Sequence, residues 1–155
     1  MRRIEPQVVQ MSLPSEFGYE KLAMTTAGLV AERMGFTPSR VQDLQTAVSE
    51  ACLNAIEHAH RQRSGVKLVV TIKIGAGELH VNVVDRGGGA IPRAQQPRME
   101  EKVEGRENSR GWGMFLIEGL VDQVKVTTRR GGGKTIRLVL RLEGRKKSGT
   151  EEASA

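Results

Sequence analysis

Aromatic residues make up only 3% of the composition, and the chain has a single cysteine, Cys52. One cysteine excludes an internal disulfide, and its place within a helical pattern reads as a small core residue. So few aromatics leave no row of rings on which single-stranded nucleic acid could stack, and the composition argues against a nucleic-acid partner. No apolar run approaches the roughly 18–20 residues of a membrane-spanning helix. The basic start, Met1-Arg2-Arg3-Ile4-Glu5-Pro6, is not followed by the apolar stretch of a secretory signal, so a cytoplasmic location away from membranes is expected. The histidines, His58, His60 and His80, have no metal-ligating company at a useful spacing, and no Ser/His/Asp relay is visible.

What is present is a soluble domain. The 155 residues are 38% hydrophobic and 27% charged, enough for one real core. The formal charge of +6 is scattered over Arg2 and Arg3, Arg61 and Arg63, Arg129 and Arg130, and residues 145–147. An anionic ligand or an acidic partner surface explains that sign as well as nucleic acid does.

Residues 4–13 alternate, with Val9, Met11 and Leu13 on one side, and predict an opening strand broken by Pro14. Ser15 then caps a helix whose apolar positions include Leu22, Leu29, Val30 and Met34, with Gly35 as its C′ residue. Thr37-Pro38 starts a second helix that runs to about His60, Thr as N-cap and Pro at the first helical position. Val41, Leu44, Val48, Ala51 or Cys52, and Ala55 recur at three- and four-residue steps. At ~100° per residue, Glu50, Asn54, Glu57 and His58 fall on the opposite arc. Residues 66–74 and 79–83 alternate as strands joined by Gly75-Ala76-Gly77, and Asp85 stands where the second ends. Residues 93–110 lose all periodicity, as a lid or a disordered segment would. Gly113 to Val121 reads as a helix start, Val124, Val126 and Thr128 as a strand, and residues 136–142 as the last strand; a polar tail from 143 to 155 is expected to be disordered. There is no internal repeat and no linker between two cores. The order predicts a two-layer α/β (α+β) sandwich, with helices on one face of a mixed, mainly antiparallel sheet.

Three places carry chemistry. Glu50 and Asn54 stand one helical turn apart. A carboxamide oxygen suits magnesium, which takes oxygen ligands, and a carboxylate beside it can hold a metal-bound water or take a proton from an attacking hydroxyl. An ordinary solvated helix face would look the same. Asp85-Arg86-Gly87-Gly88-Gly89 puts a carboxylate at a strand end before glycines. Such a carboxylate can accept a hydrogen bond from an exocyclic amine, the glycines letting backbone approach a base; a tight turn has the same sequence. Gly111-Trp112-Gly113 at a helix start, after Arg110, offers backbone N–H groups and a charge to phosphate. Gly131-Gly132-Gly133-Lys134-Thr135 is not a P-loop: the required first glycine would be at position 128, which is Thr128, and a strand follows.

Taken in order, Glu50-x-x-x-Asn54, Asp85-x-Gly87-x-Gly89 and Gly111-x-Gly113 resemble the N, G1 and G2 boxes of the GHKL (histidine-kinase-like) ATPase superfamily. The fuller strings over residues 48–59 and 111–122 look closest to the small bacterial anti-sigma factor serine-protein kinases, and the likeness spans about residues 8–142. The resemblance implies a Bergerat-type fold over 4–142, with ATP and Mg²⁺ as cofactors. It implies Glu50 as general base and Asn54 as the magnesium ligand. Asp85 would read the adenine amine and Gly87 and Gly89 would shape its pocket. Residues 93–110 would form the ATP lid, with Arg110, Gly111 and Gly113 at the phosphates. Where the family often ends Gly-Thr-Thr, this chain has Gly133-Lys134-Thr135, so Thr135 is the candidate for the adenine-supporting hydroxyl. The implied activity is phosphorylation of a serine on an anti-anti-sigma (STAS) protein, with a sigma factor as the other partner and a homodimer as the assembly. An ATP-binding module that sequesters a partner without turnover is the alternative.

Overall fold

The computed structural model describes residues 7–62, 67–86, 105–128 and 133–142. The expected tail from 143, the Gly131-Gly132 turn and most of the expected lid lie outside those residues. Five strands form one sheet: β1 (Gln7–Pro14), β2 (Lys67–Ile74), β3 (Glu78–Arg86), β4 (Gln123–Thr128) and β5 (Lys134–Arg141), in the order β1-β2-β3-β5-β4. All four pairings are antiparallel, so the mainly antiparallel sheet expected contains no parallel pair among the described strands. Alternation decides which side is covered. Leu68, Val70 and Ile72 of β2, Leu79, Val81 and Val83 of β3, and Ile136, Leu138 and Leu140 of β5 are buried toward the helices, while their neighbours in sequence face the other way. The β2–β3 turn closes with Gly75 N–H donating to Glu78 O at 2.9 Å, and Gly77 takes the left-handed conformation, φ +76°, that the turn requires.

Helices α1 (Glu20–Met34), α2 (Pro38–Gln62) and α3 (Gly105–Leu120) form the second layer. Helix α2 follows its sequence closely. Arg40 N–H donates to Thr37 Oγ1 at 3.2 Å, the N-cap bond expected, and Val41, Leu44, Val48, Ala51, Cys52 and Ala55 are all buried. Burial, with the negative charge of Glu20 behind it, pushes the Cys52 thiol up to about 12, so it stays protonated as a packed core side chain.

Helix α1 departs from its reading. It starts at Glu20 after Tyr19, without a side-chain cap at that position; Gly18 N–H donates to Glu20 Oε1 at 2.7 Å, and Ser15 is buried one turn earlier. Its buried stripe is Ala23, Ala27, Gly28 and Ala31, while Leu22 and Leu29 are 52% and 59% exposed. Small residues win the inner face because α1 lies tightly against α2: a Cβ on Gly28 would run into the Gln45 side chain, whose Nε2 donates to Met24 O at 3.4 Å. Gly35 ends the helix at φ +101°, as expected.

One polar clamp ties α3 to the rest. Arg40 Nη2 donates to Asp122 Oδ2 at 2.8 Å and Nη1 to Leu120 O at 3.2 Å, satisfying a carbonyl at the end of α3. Asp122 Oδ2 also accepts the Arg141 backbone N–H at 2.7 Å. The Arg40 and Asp122 side chains are 13% and 10% exposed, so this ion pair is largely desolvated and losing one partner strands the other. Arg40→Met should therefore cost about 1–3 kcal/mol of stability, read as a lower urea midpoint with an unchanged slope. A midpoint equal to wild type would show that the clamp is decorative.

Candidate active site

Glu50 and Asn54 sit on α2, half-buried, on the arc that α2 does not turn into the core. Helix α3 packs along α2, and Gly113, which is buried, faces Glu50 of α2. A Cβ built there would lie 2.5 Å from Glu50 Oε1 and 3.6 Å from Glu50 Cδ. The Glu50 carboxylate thus occupies the space that any other residue at 113 would fill. Glycine inside a helix costs about 1 kcal/mol relative to alanine, and here that cost is offset by seating a carboxylate against a helix backbone.

One turn along, Asn54 Oδ1 is buried and accepts no hydrogen bond among the described residues. Leaving such an oxygen without a partner costs about 1–3 kcal/mol. A hard cation is the partner that a neutral, buried, acceptor-only oxygen suits best, and magnesium, which keeps most of its ligands as water and phosphate, asks the protein for few donors. The residues present therefore fit the metal that the sequence implies.

Asp85 ends β3 on the side facing the helices, opposite Leu68 in the β2 register, and is 1% exposed. Helix α2 packs over β3, so the buried carboxylate and the Glu50–Asn54 helix belong to the same interlayer region. Asn54, Glu50, Gly113 and Asp85 are thus brought to the helix side of the sheet. Gly87 and Gly89 lie outside the described residues.

Two expectations change. The segment Gly111-Trp112-Gly113 was expected to open a helix, but α3 begins at Gly105, which puts both glycines well inside it. Interior N–H groups are bonded to carbonyls four residues back and are not an anion site, so the argument from a helix N-terminus fails here. Gly113 instead faces Glu50. For Arg110 and Gly111 only the backbone within α3 is described, and residues 105–110 of the expected lid are helical. The second change is Thr135. It pairs with Val84 and Thr127, and alternation with buried Ile136 puts it on the open face of the sheet, away from Asp85. Lys134 takes the helix-side position in its place. The Arg40–Asp122 clamp was missed outright; its partners are 82 residues apart and nothing local announces the pairing.

Comparison with known proteins bears on the fold and the family. Residues 13–140 match the Histidine kinase-like ATPase domain. The Serine-protein kinase RsbW of Bacillus velezensis is 32% identical over 140 residues, covering 88% of this chain and 86% of that protein. The Bacillus subtilis protein of the same name is 30% identical over 140 residues with the same coverage. The crystal structure of the RsbU and RsbW domains of a Mycobacterium tuberculosis protein superposes with a TM-score of 0.62 at 22% identity, covering 88% of this chain; the likeness is one of fold, and this chain spans 32% of that one.

The close approach at Gly113 can be read in stability alone. Gly113→Ala should destabilise the wild-type protein, because the new methyl displaces the Glu50 carboxylate. In a Glu50→Ala background the same change should stabilise by up to about 1 kcal/mol, the ordinary helix-propensity gain. An identical effect in both backgrounds would show that Glu50 does not fill the space at Gly113.

Proposed function

This chain belongs to the histidine kinase-like ATPase domain family, and from that premise we propose that it is a Mg-ATP-dependent protein-serine kinase and anti-sigma factor. Its substrate would be a serine on an anti-anti-sigma (STAS) protein, and its regulated partner a sigma factor. The name Serine-protein kinase carried by relatives at 30–32% identity supports the reaction class. The observation that carries the reading is the Glu50 carboxylate lodged against Gly113, with the buried, unsatisfied Asn54 Oδ1 one turn away.

Each residue then has a task. Glu50 accepts the proton from the substrate serine as its oxygen bonds to the γ-phosphorus and the bond to ADP breaks. Asn54 Oδ1 holds Mg²⁺, which when bound neutralises charge on the phosphates. Asp85 accepts the adenine amine. Gly87 and Gly89 give the base its flat approach, and Arg110, in the first part of α3, supplies charge to the phosphates. Gly113 keeps the Glu50 carboxylate in place.

Protein partners need surface. Phe17, Leu22 and Leu29, at and before α1, are each more than half exposed, and such side chains are ones that an assembly buries. We assign them to a protein–protein contact, with a homodimer as the simplest occupant. None of the described helices is long and apolar enough to cross a membrane, and a cytoplasmic setting suits a partner of the transcription machinery.

The test is transfer of the γ-phosphate from labelled ATP to a STAS protein from the same genome. Wild type should transfer, and Glu50→Gln should fall by about 10²-fold or more with ATP still bound. Transfer that survives in Glu50→Gln would remove Glu50 from the chemistry. Equilibrium ATP binding with no transfer to any such protein would leave a binding module in place of a kinase.

A further inference from the structure

The side of the sheet that the helices leave open has its own chemistry. Alternation along the strands puts Lys67 and Lys73 of β2, Lys125 of β4, and Arg137 and Arg141 of β5 on this one face, against the carboxylate of Glu78. Much of the chain's net charge of +6 is therefore gathered here, although in sequence it looks scattered. Glu78 is already engaged: Arg141 Nε donates to its Oε2 at 2.9 Å, and His80 Nε2 lies 2.9 Å from its Oε1. Those hydrogen bonds, from His80 first and then Arg141, hold its carboxyl below the usual value, so at neutral pH it is a spent anion at the rim.

Between these groups runs a depression of about 340 Å³ lined by Lys73, Glu78, His80, Asn82 and Arg137, with the Gly75-Ala76 turn at one end. Arg137 Nε donates to Asn82 Oδ1 at 3.1 Å, which steadies the guanidinium; its two terminal amino groups have no hydrogen bond among the described residues. The Lys73 ammonium has neither a hydrogen bond nor an ion pair among the described residues. The carboxylate in the lining, Glu78, is taken up by Arg141 and His80, so Lys73 and Arg137 raise each other's energy across the hollow and an incoming anion relieves that.

We propose that this open face is a docking surface for an acidic segment of a partner protein, with a carboxylate seated in the hollow between Lys73 and Arg137. The guanidinium fork matches a carboxylate, and the hollow has room for a side chain or two. Charge complementarity selects the occupant's sign, and the composition of the face selects its class. No outward-facing residue of the described strands is Phe, Tyr or Trp, so bases lack a platform of large rings to stack on. The surface is the sheet face opposite Asp85 and the Glu50–Asn54 helix, so docking here does not compete with ATP and stands or falls independently of the kinase reading.

The experiment is binding of a fluorescein-labelled hexaglutamate peptide to the full chain, followed by anisotropy at low salt. The comparison variants are Lys73→Glu/Arg137→Glu and a control, Lys21→Glu/Arg33→Glu, which makes the same change in net charge at exposed positions of α1. Wild type should bind, with affinity falling as salt rises. The hollow variant should lose about tenfold or more, the control should stay near wild type, and ATP affinity should be unchanged in both. Equal loss in the two variants would reduce the effect to bulk charge and overturn the proposal. So would an absence of peptide binding, or tighter binding of duplex DNA or phosphatidylserine vesicles that depends on the same two residues.

Discussion

The approach of α3 to α2 at Gly113 is the contact on which the site depends. A helix normally keeps its neighbour at the distance set by side chains on both. Here one side chain is missing, and a carboxylate fills the gap, with Glu50 Oε1 2.5 Å from where a Cβ would stand. The arrangement fixes Glu50 between two helices without burying it in the apolar core. It also makes the position of Glu50 sensitive to the position of α3. The far end of α3 is held by Arg40, which rises from the first turn of α2 and grips Leu120 O and Asp122. Two points along α3, Gly113 in its interior and Leu120 at its end, are thus referenced to one helix, α2, which also carries Asn54.

The two faces of the sheet divide the labour. On the helix side, apolar residues from β2, β3 and β5 form the core and Asp85 is the buried exception at its edge. The other side mixes valines with basic and polar residues that hydrogen-bond across strands, as between Arg137 and Asn82 or Thr71 and Gln10. A two-layer fold whose described helices cover one sheet face leaves the other free to evolve a second role without disturbing the first.

Much of this was legible in the sequence. Helix α2 was read nearly end to end because its large apolar residues and its N-cap agree. The strands were found by their alternation, the face of Glu50 and Asn54 followed from the helical period, and Asp85 was placed at a strand end. The failures have a common cause: local pattern is blind to how closely two elements approach. On α1, Leu22 and Leu29 look like the core stripe, yet a tight helix pair admits only Ala23, Ala27, Gly28 and Ala31. Gly111 and Gly113 look like a helix start because glycine is a poor helix former, yet Gly113 is tolerated mid-helix for the space it leaves to Glu50. Thr135 was chosen for its hydroxyl, but one residue of register puts it on the wrong face. The Arg40–Asp122 pair depends on tertiary geometry and has no local signature.

On the proposed function, α2, closed by α3, is the metal-binding wall of an ATP site. The most direct measurement is equilibrium ATP binding with and without magnesium, in wild type and in Asn54→Ala, by titration calorimetry. If Asn54 Oδ1 is the metal's protein ligand, magnesium strengthens ATP binding in wild type and the gain disappears in Asn54→Ala, while the metal-free affinities of the two remain alike. A magnesium gain of equal size in Asn54→Ala would contradict the claim.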